Sequence, residues 1–385
     1  MKKAIFIIAA LVVFTSFTFA QASVGAWGRA IWTPIAGGGG EDMDSLMTEH
    51  ASWGWSPRVG MTISGSSDNV GFQADFNVDA GNGGTVGVGD NAKIWVKPID
   101  MLTIQAGVFY DDTLRGNACF GAWDWLRYAN AYGIAALGMA GEDAIFDRIG
   151  INGNANIEIA LAPIEGVYIF WSTNKIKGTE MEIMEALAAS QFGAGYTIEG
   201  IGQIRAQYVG EQKYSSADSG YINAAFKLTM VEGLLIDLGI RYWMETGEQT
   251  GRMMKIALYA SYTMDALTIH AYGDMEMFDE DLVGDDIAIG AAFGVDYNLE
   301  GGIGINADFR YENDIKSGLP DGSISGMVGV KMGFSNGLIG AGIEVTTANL
   351  AGGIWVSDDV KGYMINKIEP DAMIFAIPVR LEYWF

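Results

Sequence analysis

MIFAIPVRLEYWF, residues 373–385, ends the chain with an apolar side chain at every second position: Met373, Phe375, Ile377, Val379, Leu381, Tyr383 and Phe385. Arg380 and Glu382 fall on the alternate positions. Successive side chains of a strand point to opposite faces, so one face of this stretch suits an apolar medium and the other a polar one. A soluble sandwich strand alternates in the same way, with its apolar face turned into a core. About ten residues of alternation is also what a tilted strand needs to cross a bilayer. The rest of the chain has to decide between these two media.

The opposite end reads MKKAIFIIAALVVFTSFTFAQASVG. Lys2 and Lys3 give a basic start, Ala4 to Phe14 an uninterrupted apolar run, and Thr18, Ala20 and Ala22 small residues for cleavage. That is the layout of a secretory signal peptide, residues 1–22, cut after Ala20 or Ala22. The run is short for a membrane anchor, which takes about 20 apolar residues. Residues 23–385 then form a single domain without a linker. They contain no further apolar run of spanning length, yet the chain is 50% hydrophobic. Helical membrane spans are excluded, and alternating strands reconcile the two facts, because only every second residue meets lipid.

A turn recurs along the chain, as in KPIDMLTIQ (97–105), TMVEGLLID (229–237) and YTMDALTIH (262–270). Its acid or amide falls at Asp68, Asp100, Glu165, Glu199, Glu232, Asp265, Glu300 and Asn336. From Glu165 onward the spacing is about 34 residues, a period that helical solenoids also show. Between the turns, however, the pattern has period two. Leu234, Ile236, Leu238, Ile240 and Tyr242 oppose Asp237 and Arg241, and Ile303, Ile305, Ala307, Phe309 and Tyr311 oppose Asn306, Asp308, Arg310 and Glu312. Asp, Asn and Gly supply the backbone conformations that tight hairpins need. Two strands and one longer loop fill each period. The expected fold is all-β: a transmembrane antiparallel barrel of about 16–18 strands, with short periplasmic turns and long extracellular loops.

The leader, the alternation of short turns with long loops, the wide barrel and the terminal Phe together resemble general bacterial porins over the whole mature chain. A C-terminal Phe385 preceded by Tyr383 and Leu381 resembles the assembly signal of outer-membrane barrels. The resemblance implies a cell outer-membrane location, contact with outer-membrane lipid and the barrel-assembly machinery, and a homotrimer. It also implies a third extracellular loop, here Asp112 to Asn154, that folds into the lumen and narrows it. Asp111, Asp112, Asp124, Glu142 and Asp143 are then the constriction acids. Arg29, Arg58, Lys93 and Arg380 are the opposing pore-wall cations, setting a transverse field.

The function expected is a water-filled channel for passive diffusion of small polar solutes or ions. The net charge of −24 gives it a cation preference and excludes nucleic acid as a partner. The alternative is a surface antigen or adhesin that binds through acidic loops such as Glu41 to Glu49. The acidic stretch DEDLVGDD (279–286) lacks the spacing of an EF-hand, and Cys119 is the only cysteine, so no metal or other cofactor is assigned. His270, with Asp274 four residues along the same face, lacks a third group in the pattern to make it catalytic, and no enzyme is expected. Deleting Phe385 should sharply reduce the folded, membrane-inserted fraction and leave the conductance of inserted barrels unchanged. Heat-modifiable gel mobility and bilayer recording check the two halves of that expectation.

Overall fold

A computed structural model describes residues 21–38, 49–51, 58–79, 86–115, 156–173, 187, 189–210, 220–244, 251–279, 287–314, 321–347, 354–356, 363–365 and 373–385. Residues 1–20 and most of the long connections lie outside this set. Among the described residues, 18 strands close into one antiparallel barrel. The first nine are β1 Gln21–Gly38, β2 Arg58–Ser66, β3 Val70–Asp79, β4 Val86–Ile99, β5 Leu102–Val108, β6 Asn156–Leu161, β7 Val167–Thr173, β8 Gln191–Ile198 and β9 Gly202–Val209. The second nine are β10 Tyr221–Leu228, β11 Leu234–Trp243, β12 Arg252–Met264, β13 Leu267–Phe278, β14 Ile287–Asn298, β15 Ile303–Glu312, β16 Ser323–Phe334, β17 Gly337–Thr346 and β18 Ile374–Trp384. Three short strands stand beside them: Glu49–Ala51 pairs with β1, and Ile354–Val356 pairs with Tyr363–Ile365.

Every barrel strand pairs with its chain neighbours, and β1 pairs with both β2 and β18. The quoted C-terminal stretch therefore closes the barrel against the first strand. Trp27 lies opposite Trp384 and Arg29 opposite Glu382. Ala26 and Phe385 exchange both backbone bonds, at 3.1 and 2.9 Å. The register shifts between Trp32 and Ile35, where Pro34 has no N–H to give to the ladder. Closure leaves no open edge in the sheet, as a sheet in lipid requires.

Each acid or amide of the recurring turn sits in or beside a short connection between paired strands, from Asp68 to Asn336. Asp265 adopts φ 48°, and Gly166 and Gly233 adopt φ 80° and 76°. A Cβ at Gly233 would come within 2.4 Å of the Thr263 carbonyl oxygen, so glycine is required there by space as well as by conformation. From the alternation this strand is expected over 91–98, but β4 starts at Val86. Its first residues lie past a register shift, opposite Phe76 to Val78. Glycine-rich residues there read as loop but are held by the neighbouring strand.

The side chains divide as the alternation requires, with the polarity of a soluble protein reversed. Leu238, Phe309 and Leu381 point outward at 46%, 51% and 53% exposure, along with most of the large apolar residues. The inward positions hold the buried polar groups, among them Arg205, Asn223, Asp237, Asp274, Asp308, Arg310 and Arg380. The apolar patches inside are small: Ala257, Tyr259, Tyr272 and Ala292 form one, and Leu114, Ala160, Phe170 and Ala225 another. On the inner face, the Trp27 indole lies over Gly60 and the Trp95 indole over Gly71, each filling the place a side chain would take. A soluble sandwich would bury Leu238 and expose Asp237; here the reverse holds. Leu238→Arg on the outer face should therefore destabilise the barrel by about 2–4 kcal/mol, the depth-dependent cost of a cation facing lipid. Urea unfolding in lipid vesicles checks the value.

Candidate functional site

The third long connection leaves β5 and turns straight into the barrel. The Asp111 carboxylate accepts the Thr113 N–H at 2.7 Å, and the Asp112 carbonyl accepts the Arg115 N–H at 3.0 Å. Asp is suited to this because its short side chain bonds its own backbone two residues on. The turn drives Leu114 onto the inner wall, where it packs with Ala160, Phe170 and Ala225 and beside Tyr168. Gly195 makes the room: a Cβ there would lie 2.3 Å from a Leu114 methyl.

Arg205 on β9 fixes this turn to the wall. Its Nη1 donates to the carbonyls of Arg115 at 3.0 Å and Leu114 at 3.4 Å, and its Nη2 pairs with the Asp237 carboxylate on β11. Arg205 and Asp237 are each only 1% exposed. A guanidinium has five donors in a fixed fork, so one buried side chain serves both partners at once.

Beside the turn lies a cavity of about 520 Å³. β4 contributes Lys93, Trp95 and Lys97 to it, β5 and β6 contribute Gln105 and Glu158, and β7 contributes Tyr168. Tyr110 to Thr113 close the remaining side. Gln105 donates to Glu158 Oε1 at 2.8 Å, and the Tyr168 hydroxyl donates to Asp111 and, at 3.4 Å, to Glu158 Oε1. Glu158 is 1% exposed, and its Oε2 has no hydrogen-bond partner.

On β12 and β13 inner charges are matched across neighbouring strands. Lys255 Nζ meets Asp274 at 3.2 Å and Arg252 meets Glu276 at 3.0 Å. Gln207, Asn223 and Arg241 form a hydrogen-bonded ladder, and the Arg241 guanidinium stacks 4.2 Å from the Tyr221 ring centre. His270 points inward, and Asp274 on the same face pairs with Lys255. His270 bonds Tyr259 at Nδ1, 3.1 Å, and Asp296 at Nε2, 2.6 Å. Parity locates a face correctly but does not choose which neighbour on it makes the bond.

The expected wall cations are all on strands whose inner face they share. Arg29 and Arg58 are paired opposite one another on β1 and β2, and Arg29 stacks 4.3 Å from the Trp27 ring centre. Arg380 pairs with Glu382 at 2.5 Å, and Lys93 lies 5.6 Å from the Phe109 ring centre. Lys93 is the one of these four in the cavity that also holds Asp111 and Asp112. Asp124, Glu142 and Asp143 lie outside the described residues. Leu381, Tyr383 and Phe385 all face outward at the seam, with the last two rings 6.5 Å apart. By parity Arg205, Asp237 and Glu158 fall on the inner face, though the sequence gives them no site role. Nothing in the pattern singles out Lys97, Gln105 or Tyr168.

Comparison with known proteins finds likeness in solved structures alone. No family model matches the chain, and no curated protein matches its sequence. The chain is similar to a mutant porin of Rh. blastica, with 15% identity over 94% of this chain and 100% of that one and a TM-score of 0.46. It is similar to OmpF of Salmonella typhi in complex with daunomycin, with 11% identity over 95% and 97% and a TM-score of 0.47. It is also similar to an anion-selective porin from Comamonas acidovorans, with 12% identity over 95% and 100% and a TM-score of 0.49.

Asp237→Ala should cost about 3–5 kcal/mol, because it strands a buried guanidinium. The double change Arg205→Met with Asp237→Leu should recover most of that loss while releasing the turn at 111–115. Denaturation curves check the first effect, and protease sensitivity of the 109–155 connection the second.

Proposed function

We propose that the protein is an outer-membrane porin: a channel for passive diffusion of small hydrophilic solutes. The observation that carries this reading is the reversed polarity of a closed 18-strand barrel, apolar outside and charged inside. A barrel of this strand number is wide enough to hold water, and lipid is the medium that accepts its outer face. Export of the chain uses its N-terminal residues as a leader, cut after Ala20 or Ala22. Assembly in the outer membrane is directed by the seam residues Leu381, Tyr383 and Phe385, through the barrel-assembly machinery, and the assembled form is a trimer.

The third long connection narrows the channel. Its first residues, 111–115, already lie inside against β6 to β10, which supports the reading that the remainder, to Asn154, follows them inward. Asp111 and Asp112 then face the Lys93 side of the lumen, and Asp124, Glu142 and Asp143 add to the acidic side. Small cations are preferred over anions, because the acidic surplus of the chain resides mainly in its loops and concentrates cations at the mouth.

Planar-bilayer recording of the purified, folded protein tests this. Discrete conductance steps with K⁺ more permeant than Cl⁻ are expected, the preference weakening as salt rises. Folded protein that inserts without steps would defeat the channel reading and turn attention to the adhesin alternative. Steps with Cl⁻ preferred would overturn the selectivity alone.

A further inference from the structure

We propose that the cavity at the root of the third connection binds a zwitterion: a free α-amino acid or a dipeptide with an apolar side chain. This names a solute for the channel and rests on the channel reading only in making the site a stop on the route through it. The volume of about 520 Å³ falls within the range of small-molecule sites. Except for Asp112, which pairs with Arg115 at 3.7 Å, its charges are separated rather than paired. Lys93 and Lys97 line the β4 side, and among the described residues neither has an ion-pair partner. Asp111 and Glu158 line the other side, held by Thr113, Gln105 and Tyr168, all neutral donors. Elsewhere on this wall opposite charges meet directly, as at Lys255 and Asp274. Here they face a common space.

Glu158 sharpens the choice of ligand. A buried carboxyl oxygen without a donor is costly, and native structures seldom leave one. Glu158 lines the cavity, and its Oε2 is covered. An ammonium group entering beside Asp111 meets that carboxylate and brings a donor to the Glu158 side, while a carboxylate on the same molecule reaches the lysines. Trp95, Tyr110 and Tyr168 offer apolar faces to a side chain. A bare metal cation would answer the carboxyl groups and leave the lysines unmatched. An uncharged sugar would leave both charged sides unmatched.

The test is equilibrium dialysis of the full mature barrel, folded in detergent, with radiolabelled L-phenylalanine. Saturable binding is expected, with no binding of N-acetyl-phenylalanine amide, which keeps the ring and lacks both charges, and no competition by glucose. Lys93→Ala and Asp111→Asn should each weaken binding by about tenfold or more, the loss of one charge-assisted contact. Lys93→Ala removes a partly exposed side chain and keeps the test open if the Asp111 variant fails to fold. Absent binding, equal binding of the uncharged amide, competition by glucose, or unchanged affinity in Lys93→Ala would each overturn the site. A barrel that conducts ions and does not bind phenylalanine overturns the site alone. One that binds phenylalanine and does not conduct overturns the channel reading and leaves the site standing.

Discussion

A backbone in hydrocarbon finds no water to bond, so every N–H and C=O must be matched within the protein. For a sheet this can be met only by closure, and in this chain closure depends on one seam, β1 against β18. The reciprocal backbone bonds between Ala26 and Phe385 bring the end of the chain onto the first strand. From that constraint the rest follows. An even number of strands puts both ends of the barrel at the short-turn rim, the turns there can be tight, and the longer connections all emerge at the other rim. Alternation then assigns each residue to lipid or lumen with no residue left at an edge.

The lumen is not uniform. Around β9 to β13 charges pair with neighbours one or two strands away, as Arg205 does with Asp237 and Lys255 with Asp274. Around β4 to β7 the charges remain apart across a cavity. The asymmetry comes from the residues at 109–115, which come inside on that side of the barrel. Phe109 and Leu114 are buried there, and the wall beneath them is correspondingly less polar, with Ala160, Phe170 and Ala225. An inward segment thus has its own apolar footing in an otherwise polar lining.

The fold was legible because its governing pattern is local. Period two along Leu234 to Trp243, a turn residue such as Asp265, and a terminal Phe385 each carry their information in a few consecutive residues. Strand starts were less legible where glycine removes the alternating signal, as at Gly87 and Gly89 in β4. The candidate site was legible only by halves. Parity alone placed Glu158, Arg205 and Asp237 on the inner face. It could not show that Leu114 and Arg115 come to meet them, because that depends on the path of a connection and on the space above Gly195. The bond from His270 to Asp296 was out of reach for a related reason. Cross-strand register brings Asp296 beside His270, and register is a property of two strands together.

Arg205 holds the chain at Leu114 and Arg115 from a strand some ninety residues downstream, and Asp237 holds Arg205 from a strand further on. The departure point of the third connection is thereby set by the wall and not by the connection itself. Substitutions, insertions or deletions beyond residue 115 would all begin from the same place and direction. The barrel can in this way keep a fixed entrance to its interior, so that changes beyond residue 115 need not disturb the wall that holds it.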